Sequence, residues 1–312
     1  MIDVSKCCEL INDKNNILVV SHIRPDGDTL GSGAALTHAL NRLGKTAYLF
    51  RNVQVTDKYL PYVKAYFAPE NFVPDYIIAV DTASDSMFAI GFEGKVDLCI
   101  DHHPSNSKYA DNLLLKGEKA ACGEIILEII KELCGNIDFT EAELLYIAIS
   151  TDTGCFNYSN TSSDTFRAAA ELLDAGIDIN TLNTKFFRKV SKERIVLEGL
   201  VYQNMKYYMN NKVVFAVITK KMMEESGATE NDCDDLANLA TRLDTEIVGV
   251  TVKEQDDGSC KISVRSGPEF NSSDLCAMFG GGGHAMAAGC RIDGTPDNAI
   301  SIILSEIEKV GI

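Results

Sequence analysis

The chain of 312 residues has no tryptophan, only seven prolines and only five histidines. No apolar run approaches the ~18 residues of a membrane span. The first sixteen residues, MIDVSKCCELINDKNN, carry early acids and lack the apolar core of a secretion signal. Ten cysteines are present, but no CxxC pair occurs, and apart from the adjacent Cys7 and Cys8 they are scattered, so buried reduced thiols are expected. Positive charge is short as well: 29 basic residues face 45 acidic ones, a net charge of −16. A chain without a positive footprint is a poor binder of long duplex nucleic acid. A short phosphorylated ligand held through metal ions is not excluded. The expectation is a cytoplasmic protein without membrane contact.

What is present is a foldable composition, 46% apolar and 24% charged, of a length that suggests two domains. The first half alternates short apolar runs with helical patterns. Ile17–Ser21 reads as a buried strand. Residues 32–43 place Ala35, Leu36, Ala39, Leu40 and Leu43 on one helical face, with Gly44 as the stop. Tyr48–Phe50, Tyr76–Val80 and Val96–Ile100 are further strands, and 121–134 and 141–150 are helices. This alternation predicts an α/β fold with a mostly parallel sheet. Residues 1–185 are assigned to that domain and 186–210 to a helical linker. Residues 211–312 form a smaller α/β domain, with strands at Lys212–Thr219, Glu246–Lys253 and Lys261–Arg265 and helices near 231–243 and 297–309. Asp256-Asp-Gly258 marks a hairpin turn.

Four acidic or histidine clusters fall where predicted elements end: Ser21-His-Ile-Arg-Pro-Asp-Gly-Asp28, Ala79-Val-Asp-Thr82, Ile100-Asp-His-His-Pro104 and Ser150-Thr-Asp-Thr-Gly-Cys-Phe156. The carboxyl ends of strands line the ligand crevice of open α/β sheets. Four distant segments can therefore deliver His22, Asp26, Asp28, Asp81, Asp101, His102, His103 and Asp152 to one place. Carboxylates gathered in one crevice repel each other unless a cation neutralises them. Carboxylate oxygens mixed with imidazoles favour Mn²⁺ or Mg²⁺, with the imidazoles tilting toward Mn²⁺ or Fe²⁺. The ligands exceed one octahedron, which points to two metals, and two-metal sites characteristically activate water for in-line attack on phosphorus. Taken singly, Arg24-Pro-Asp-Gly-Asp28 reads as a turn, Asp81 equally as a cap or a functional residue, and Asp152 as an Asx-turn, whereas the apolar brackets Met278-Phe279 and Ala285-Met-Ala-Ala288 argue against a linker at Gly280–Gly283. His38, in mid-helix, reads as structural.

In order along the chain, His22-x-x-x-Asp26-x-Asp28, Asp81, Asp101-His102-His103 and Thr151-Asp152-Thr-Gly154 resemble the four motifs of the DHH phosphoesterase superfamily. Arg265-Ser266 and Phe279-Gly-Gly-Gly-Gly-His-Ala-Met-Ala-Ala-Gly289 resemble the signature of its associated DHHA1 substrate domain. The extent of the chain is most similar to the stand-alone branch of oligoribonucleases (nanoRNases) and 3′-phosphoadenosine 5′-phosphate (pAp) phosphatases. The resemblance implies an active site in the cleft between the two domains. It implies one metal on His22, Asp26 and Asp81 and a second on Asp28, Asp81, His102 and Asp152, with Asp81 shared. It implies that His103 meets the scissile phosphate and that Asp101 orients a histidine ring. Arg265, Ser266 and His284, with backbone amides of Gly281, Gly282 and Gly283, would hold the other phosphate. Cys155 and the stretch Asp234–Asn238 depart from the family pattern.

Two look-alikes fail on spacing. Gly44-Lys45-Thr46 would need a glycine where Ala39 stands, and Gly31-Ser32-Gly33 has Leu36 where a dinucleotide fingerprint needs its third glycine. Small residues there would instead let a helix approach the metal loop. The basic stretch Lys185–Arg194 reads either as a solvated face or as a source of positive potential. The expected activity is Mn²⁺-dependent hydrolysis (Mg²⁺ as the other metal) of RNA of two to a few nucleotides, or of pAp. The alternatives are a cyclic di-AMP or linear dinucleotide phosphodiesterase, a pyrophosphatase or exopolyphosphatase, and a non-catalytic nucleotide sensor. A homodimer is left open.

Overall fold

The computed structural model of the protein describes residues 1–233 and 236–311. Within them the chain forms two compact units, Met1–Lys189 and Val190–Ile312. The first contains five strands, β1 (Ile17–Val20), β2 (Ala47–Leu49), β3 (Tyr76–Val80), β4 (Leu98–Asp101) and β5 (Asn112–Leu115). They pair entirely in parallel in the order β2-β1-β3-β4-β5. All four residues of β1 are buried, as a central parallel strand covered on both faces requires. Around the sheet run α1 (Val4–Asn12), α2 (Gly27–Arg42), α3 (Leu60–Val63), α4 (Cys122–Cys134), α5 (Phe139–Asp152), α6 (Ser163–Asp174) and α7 (Ile179–Asn183).

Helix α2 begins at Gly27, five residues before the stretch that its periodicity marks. The Asp26 carboxylate accepts the amides of Asp28 and Thr29 at 3.0 and 3.2 Å and so caps the helix. Helices α2 and α5 pack closely and antiparallel. A methyl at Gly27 would overlap Thr151, and one at Gly31 would overlap the Leu144 carbonyl. Gly31 thus serves helix contact, not a nucleotide loop, and the partner it admits is α5. At the far end of the same pair, His38 Nε2 lies 2.8 Å from Asp138 Oδ2, and Asp138 caps α5. The structural role expected of His38 is to tie the two helices together.

The second unit holds a six-stranded sheet in the order β10-β11-β9-β8-β7-β6. Its strands are β6 (Lys206–Tyr208), β7 (Val213–Ile218), β8 (Val248–Glu254), β9 (Ser259–Ser266), β10 (Gly282–His284) and β11 (Ala287–Asp293). Only β7 and β8 run parallel. Helices α8 (Lys192–Gln203), α9 (Lys220–Ser226), α10 (Ser272–Ala277) and α11 (Pro296–Val310) accompany it. Leu197 and Val201 of α8, inside the stretch read as a linker, are fully buried in one cluster with Val214, Ala216 and Ile218 of β7. Burial of such a side chain contributes about 1.5–3 kcal/mol, so α8 is part of this unit's packing.

The helix expected near 231–243 is absent from the described residues. Two short 3₁₀ turns, Glu230–Cys233 and Leu236–Thr241, stand in its place. The carbonyls of Leu236 and Ala237 also accept from Thr251 Oγ1 at 3.4 and 3.2 Å, which ties this segment to β8. Asp234 and Asp235 lie outside the described residues. No described helix is long and apolar enough to cross a membrane, and no disulfide forms among the described residues.

Candidate active site

Strand order builds the site. β1 and β3 are neighbours, but the chain leaves β1 for β2 on the other side, so the loops after β1 and β3 diverge at a topological switch point. His22 follows β1, Asp81 directly follows β3, and Asp101, His102 and His103 end and follow β4. The close α2–α5 contact adds Asp26 and Asp28 from the start of α2 and Asp152 from the end of α5. Asp81 stands in the left-handed region at φ 55°, with its amide bonded to the Ile100 carbonyl at 2.9 Å. Gly154, Cys155 and Phe156, just after Asp152, are left-handed too, at 55, 56 and 64°. Such conformations cost about 1–3 kcal/mol each for non-glycine residues and persist where surrounding structure imposes them.

Each histidine is fixed through Nδ1. His22 Nδ1 lies 2.8 Å from the Ile23 carbonyl and His102 Nδ1 lies 3.1 Å from the Lys119 carbonyl. A carbonyl only accepts, so both Nδ1 atoms carry the proton and both Nε2 atoms face the carboxylates. His22 Nε2 lies 3.6 Å from Asp26 and 3.7 Å from Asp81. His102 Nε2 lies 3.4, 3.6 and 3.8 Å from Asp81, Asp152 and Asp28. His103 Nδ1 donates to Asp101 Oδ1 at 2.8 Å, so Asp101 orients His103. The ligand atoms of His22, Asp26 and Asp81 gather within 4.8 Å of one another, as do those of Asp28, His102 and Asp152. His102 and His103 also cluster with Asp81.

Asp28 shows how far the protein goes to hold these charges. It is 1% exposed. Its Oδ2 accepts the Cys122 amide at 2.6 Å, and its Oδ1 accepts the Gly123 amide at 2.9 Å and Ser32 Oγ at 3.0 Å. A residue of α2 thereby caps the N-terminus of α4, where the helix dipole favours an anion. Nothing in the sequence marks these amides as part of the site. The one legible trace is Gly123, where a methyl would come within 2.8 Å of Ala148 of α5.

Burial, followed by the like charges of Asp81 and Asp152, still pushes Asp28 well above the ordinary carboxylate range. Burial raises Asp81 as well, against the pull of His102. Burial raises Asp152 to about 7, with Asp81 and Asp26 adding to it and His102 opposing. Desolvation disfavours the His22 and His102 cations, but the carboxylates facing them outweigh it and lift these rings to about 9 and about 11. Asp26, which is exposed, is held low by the His22 ring beside it, and Asp101 is held low despite burial by the hydrogen bond from His103. Two like charges 4 Å apart repel by about 4 kcal/mol at an effective dielectric of 20, so Asp28 and Asp81, both buried, together with the half-buried Asp152 call for a divalent cation. Asp81 supplies the direct sign: its Oδ1 is buried and has no hydrogen-bond partner. An acceptor without a donor, facing imidazole nitrogens and further carboxylates, fits a metal. Burial pushes the Cys155 thiol up against the opposing pull of Arg188, away from the thiolate form.

In the second unit, β9, β11 and β10 align Arg265, Ala287 and His284 in one row across the sheet. Arg265 Nε donates to Asn238 Oδ1 at 3.3 Å. Ser266 stands apart: its hydroxyl lies 2.8 Å from both the Phe270 carbonyl and Ser272 Oγ, inside the turn to α10. The glycine run is no linker. Gly282 and Gly283 form β10, and a side chain at Gly281 or Gly283 would overlap β11 backbone. The Gly281 amide donates to the Cys276 carbonyl at 3.0 Å. The basic stretch makes local contacts, with Lys185 Nζ 4.3 Å from the Tyr62 ring and Arg194 Nε 2.9 Å from Glu198.

A parallel sheet that brings an Asp-His-His run and three further acidic turns to one buried point, followed by a second α/β unit, is the organisation of the DHH phosphoesterases, metal-dependent hydrolases of phosphoric esters. The chain belongs to that family: residues 16–149 match the DHH family N-terminal domain, and residues 210–310 match the DHHA1 domain. It is 31% identical over 300 residues to the bifunctional oligoribonuclease and PAP phosphatase NrnA of Thermus thermophilus, covering 94% of this chain and 89% of that one. It is 28% identical to the protein of the same name from Bacillus subtilis, covering 89% and 90% of the two chains. Among solved structures, an exopolyphosphatase-related protein from Bacteroides fragilis has the same fold, with a TM-score of 0.88 at 24% identity over 98% of this chain and 95% of that one.

Proposed function

We propose that the protein hydrolyses oligoribonucleotides of two to a few residues to mononucleotides and removes the 3′-phosphate of pAp to give AMP. The observation that carries this reading is the pair of adjoining ligand sets, His22/Asp26/Asp81 and Asp28/His102/Asp152, with the unpartnered Asp81 Oδ1 beside His102. The names of the relatives that span nearly the whole chain support the substrate class. His22, Asp26 and Asp81 would hold one divalent ion, and Asp28, Asp81, His102 and Asp152 the second. Mn²⁺ suits this mixture of imidazole and carboxylate, with Mg²⁺ as the substitute. Such ions make water a nucleophile at neutral pH and offset phosphate charge.

The chain's own groups do the rest. Asp101 holds the His103 ring through its Nδ1–H, so that a proton taken up at Nε2 would be aimed at the scissile phosphate and given to the departing oxygen. Asp28, locked on the α4 amides, cannot swing away as charge changes. In the second unit Arg265 and His284 bind the substrate's other phosphate, Arg265 through its two-pronged fork. Ser266 and the backbone of Gly281, Gly282 and Gly283 shape that row.

The test is a chromatographic product assay with pApA, pAp, cyclic di-AMP and pyrophosphate in parallel, each with Mn²⁺ and with EDTA. Metal-dependent AMP from both pApA and pAp is the expected outcome. Turnover of cyclic di-AMP alone, or of pyrophosphate alone, overturns the substrate assignment, and tight binding of pAp without any turnover makes the protein a sensor.

A further inference from the structure

We propose that Asn106 is a positioning residue for His103, acting through Asp101, and this inference rests on the phosphoesterase reading above. Asn106 lies in the turn after β4 and is buried at 7% exposure. Its amide orientation is set by its neighbours. The Lys108 N–H, which can only donate, points to Oδ1 at 2.8 Å, so the NH₂ group faces the other way. There it donates to Asp101 Oδ2 at 2.6 Å and to the Thr82 carbonyl at 3.3 Å.

The Asp101 carboxylate is divided between two duties. Oδ1 accepts His103 Nδ1 at 2.8 Å and the amides of His102 and His103 at 2.8 and 3.2 Å. Oδ2 accepts Asn106. Asp101 is fully buried, so without Asn106 its Oδ2 loses that donor, and a buried unsatisfied acceptor costs about 1–3 kcal/mol. The carboxylate would then turn to share its remaining donors, and the His103 ring would lose its fixed tautomer. The second bond is the weaker one. Thr82 immediately follows Asp81, and its carbonyl also accepts Tyr109 OH at 2.9 Å, which remains when Asn106 is removed, so the Asp81 turn does not depend on Asn106. Aspartate cannot replace it, because a second carboxylate would face Asp101 Oδ2 with no proton to donate.

The experiment compares wild type, Asn106→Ala, Asn106→Asp, His103→Ala and the Asn106→Ala/His103→Ala double variant, all with folding checked by circular dichroism. Loss of a group that orients a ligand-bearing side chain typically costs about 10–100-fold in activity. That loss is expected in kcat for pAp with Asn106→Ala, with KM and Mn²⁺ affinity by calorimetry nearly unchanged, and Asn106→Asp should be at least as impaired. In the His103→Ala background the Asn106→Ala change should have no further effect. Long-range ¹H–¹⁵N spectra of the metal-free protein should show His103 protonated on Nδ1 in wild type and a mixture of tautomers in Asn106→Ala. Equal losses in both backgrounds, or unchanged His103 ring resonances in Asn106→Ala, overturn the proposal. If wild type turns over neither pAp nor pApA, the phosphoesterase reading fails instead, and the spectra still decide whether Asn106 sets the tautomer.

Discussion

The two units carry their charged groups in opposite ways. In the first, Asp28, Asp81 and Asp101 are at most 3% exposed, and left-handed residues stand at Asp81 and just after Asp152. Among the described residues of the second, the left-handed non-glycine ones are Met209, Asn210 and Asn211, in the hairpin between β6 and β7, away in sequence from Arg265 and His284. His284 and Gly282 are exposed at the sheet end. Holding like charges together requires a rigid, dry setting whose strain is imposed by packing. Gripping a phosphate requires only donors within reach of solvent. On the function proposed above, chemistry and grip would make different demands on a fold, the first suited to the parallel sheet and the second to the largely antiparallel one.

The comparison is tested most severely at Asp81. Asp81→Asn removes a buried charge that has no donor on Oδ1, so kcat should fall by about 10²–10³-fold, the scale for loss of a preorganised electrostatic group. The melting temperature of the metal-free protein should hold or rise. A clear drop in that temperature would mean that the carboxylate is structural. In the second unit Arg265→Ala should act on KM, raising it about tenfold or more, since a charged hydrogen bond contributes roughly 1.5–3 kcal/mol, while kcat and Mn²⁺ affinity stay near wild type. A fall in kcat alone would erase the distinction between chemistry and grip.

Gly31→Ala forces α2 from α5 and should destabilise by about 1–3 kcal/mol, the range for overpacking, with Mn²⁺ affinity falling because Asp28 and Asp152 separate. Acidity gives a smaller signal of definite sign. Burial lifts Asp152 to about 7, so the folded metal-free protein holds a proton that the unfolded chain releases. That contribution is complete below the ordinary carboxyl pKa near 3.8 and is lost as pH rises through about 7. The raised pKa of His22, about 9, extends the loss upward. The melting temperature in EDTA should therefore fall from pH 5.5 to 8. The gap between EDTA and Mn²⁺ samples should widen by a few degrees, at roughly 2–4 °C per kcal/mol for chains of 150–250 residues. A gap that narrows with pH would contradict the site. Gly282→Ala, with nothing within 4 Å of the added methyl, should shift stability by no more than about 0.5 kcal/mol.

Legibility followed the source of each element's stability. Strands β1, β3, β7, β8 and β9 are apolar runs whose burial depends on their own residues, and each was visible within two residues of its bounds. The start of α2 was not, because Arg-Pro-Asp-Gly-Asp resembles a turn until Asp26 is seen capping the helix and Gly31 is seen against α5. Leu236–Thr241 carries a helical pattern but forms a 3₁₀ turn tied to β8 through Thr251, an interaction with no local signature. Strand β10 is nearly all glycine and offers no side-chain period. The side chains gathered at the site were legible because ionisable residues at strand ends need a reason. The Cys122 and Gly123 amides and Asn106 were not, because a backbone donor has no letter and one asparagine in a turn is ordinary.

Asp28 has a consequence for the inheritance of this site. It serves two masters, the cluster it shares with His102 and Asp152 and the first turn of α4, which rests on its two oxygens. A descendant that gave up hydrolysis and kept only the binding of nucleotides could lose His22 or Asp152 with little effect on its architecture. It could not lose Asp28 without finding α4 a new cap. In a lineage of decaying copies, this aspartate should be the last ligand to disappear, and its presence alone would say nothing about whether the enzyme still works.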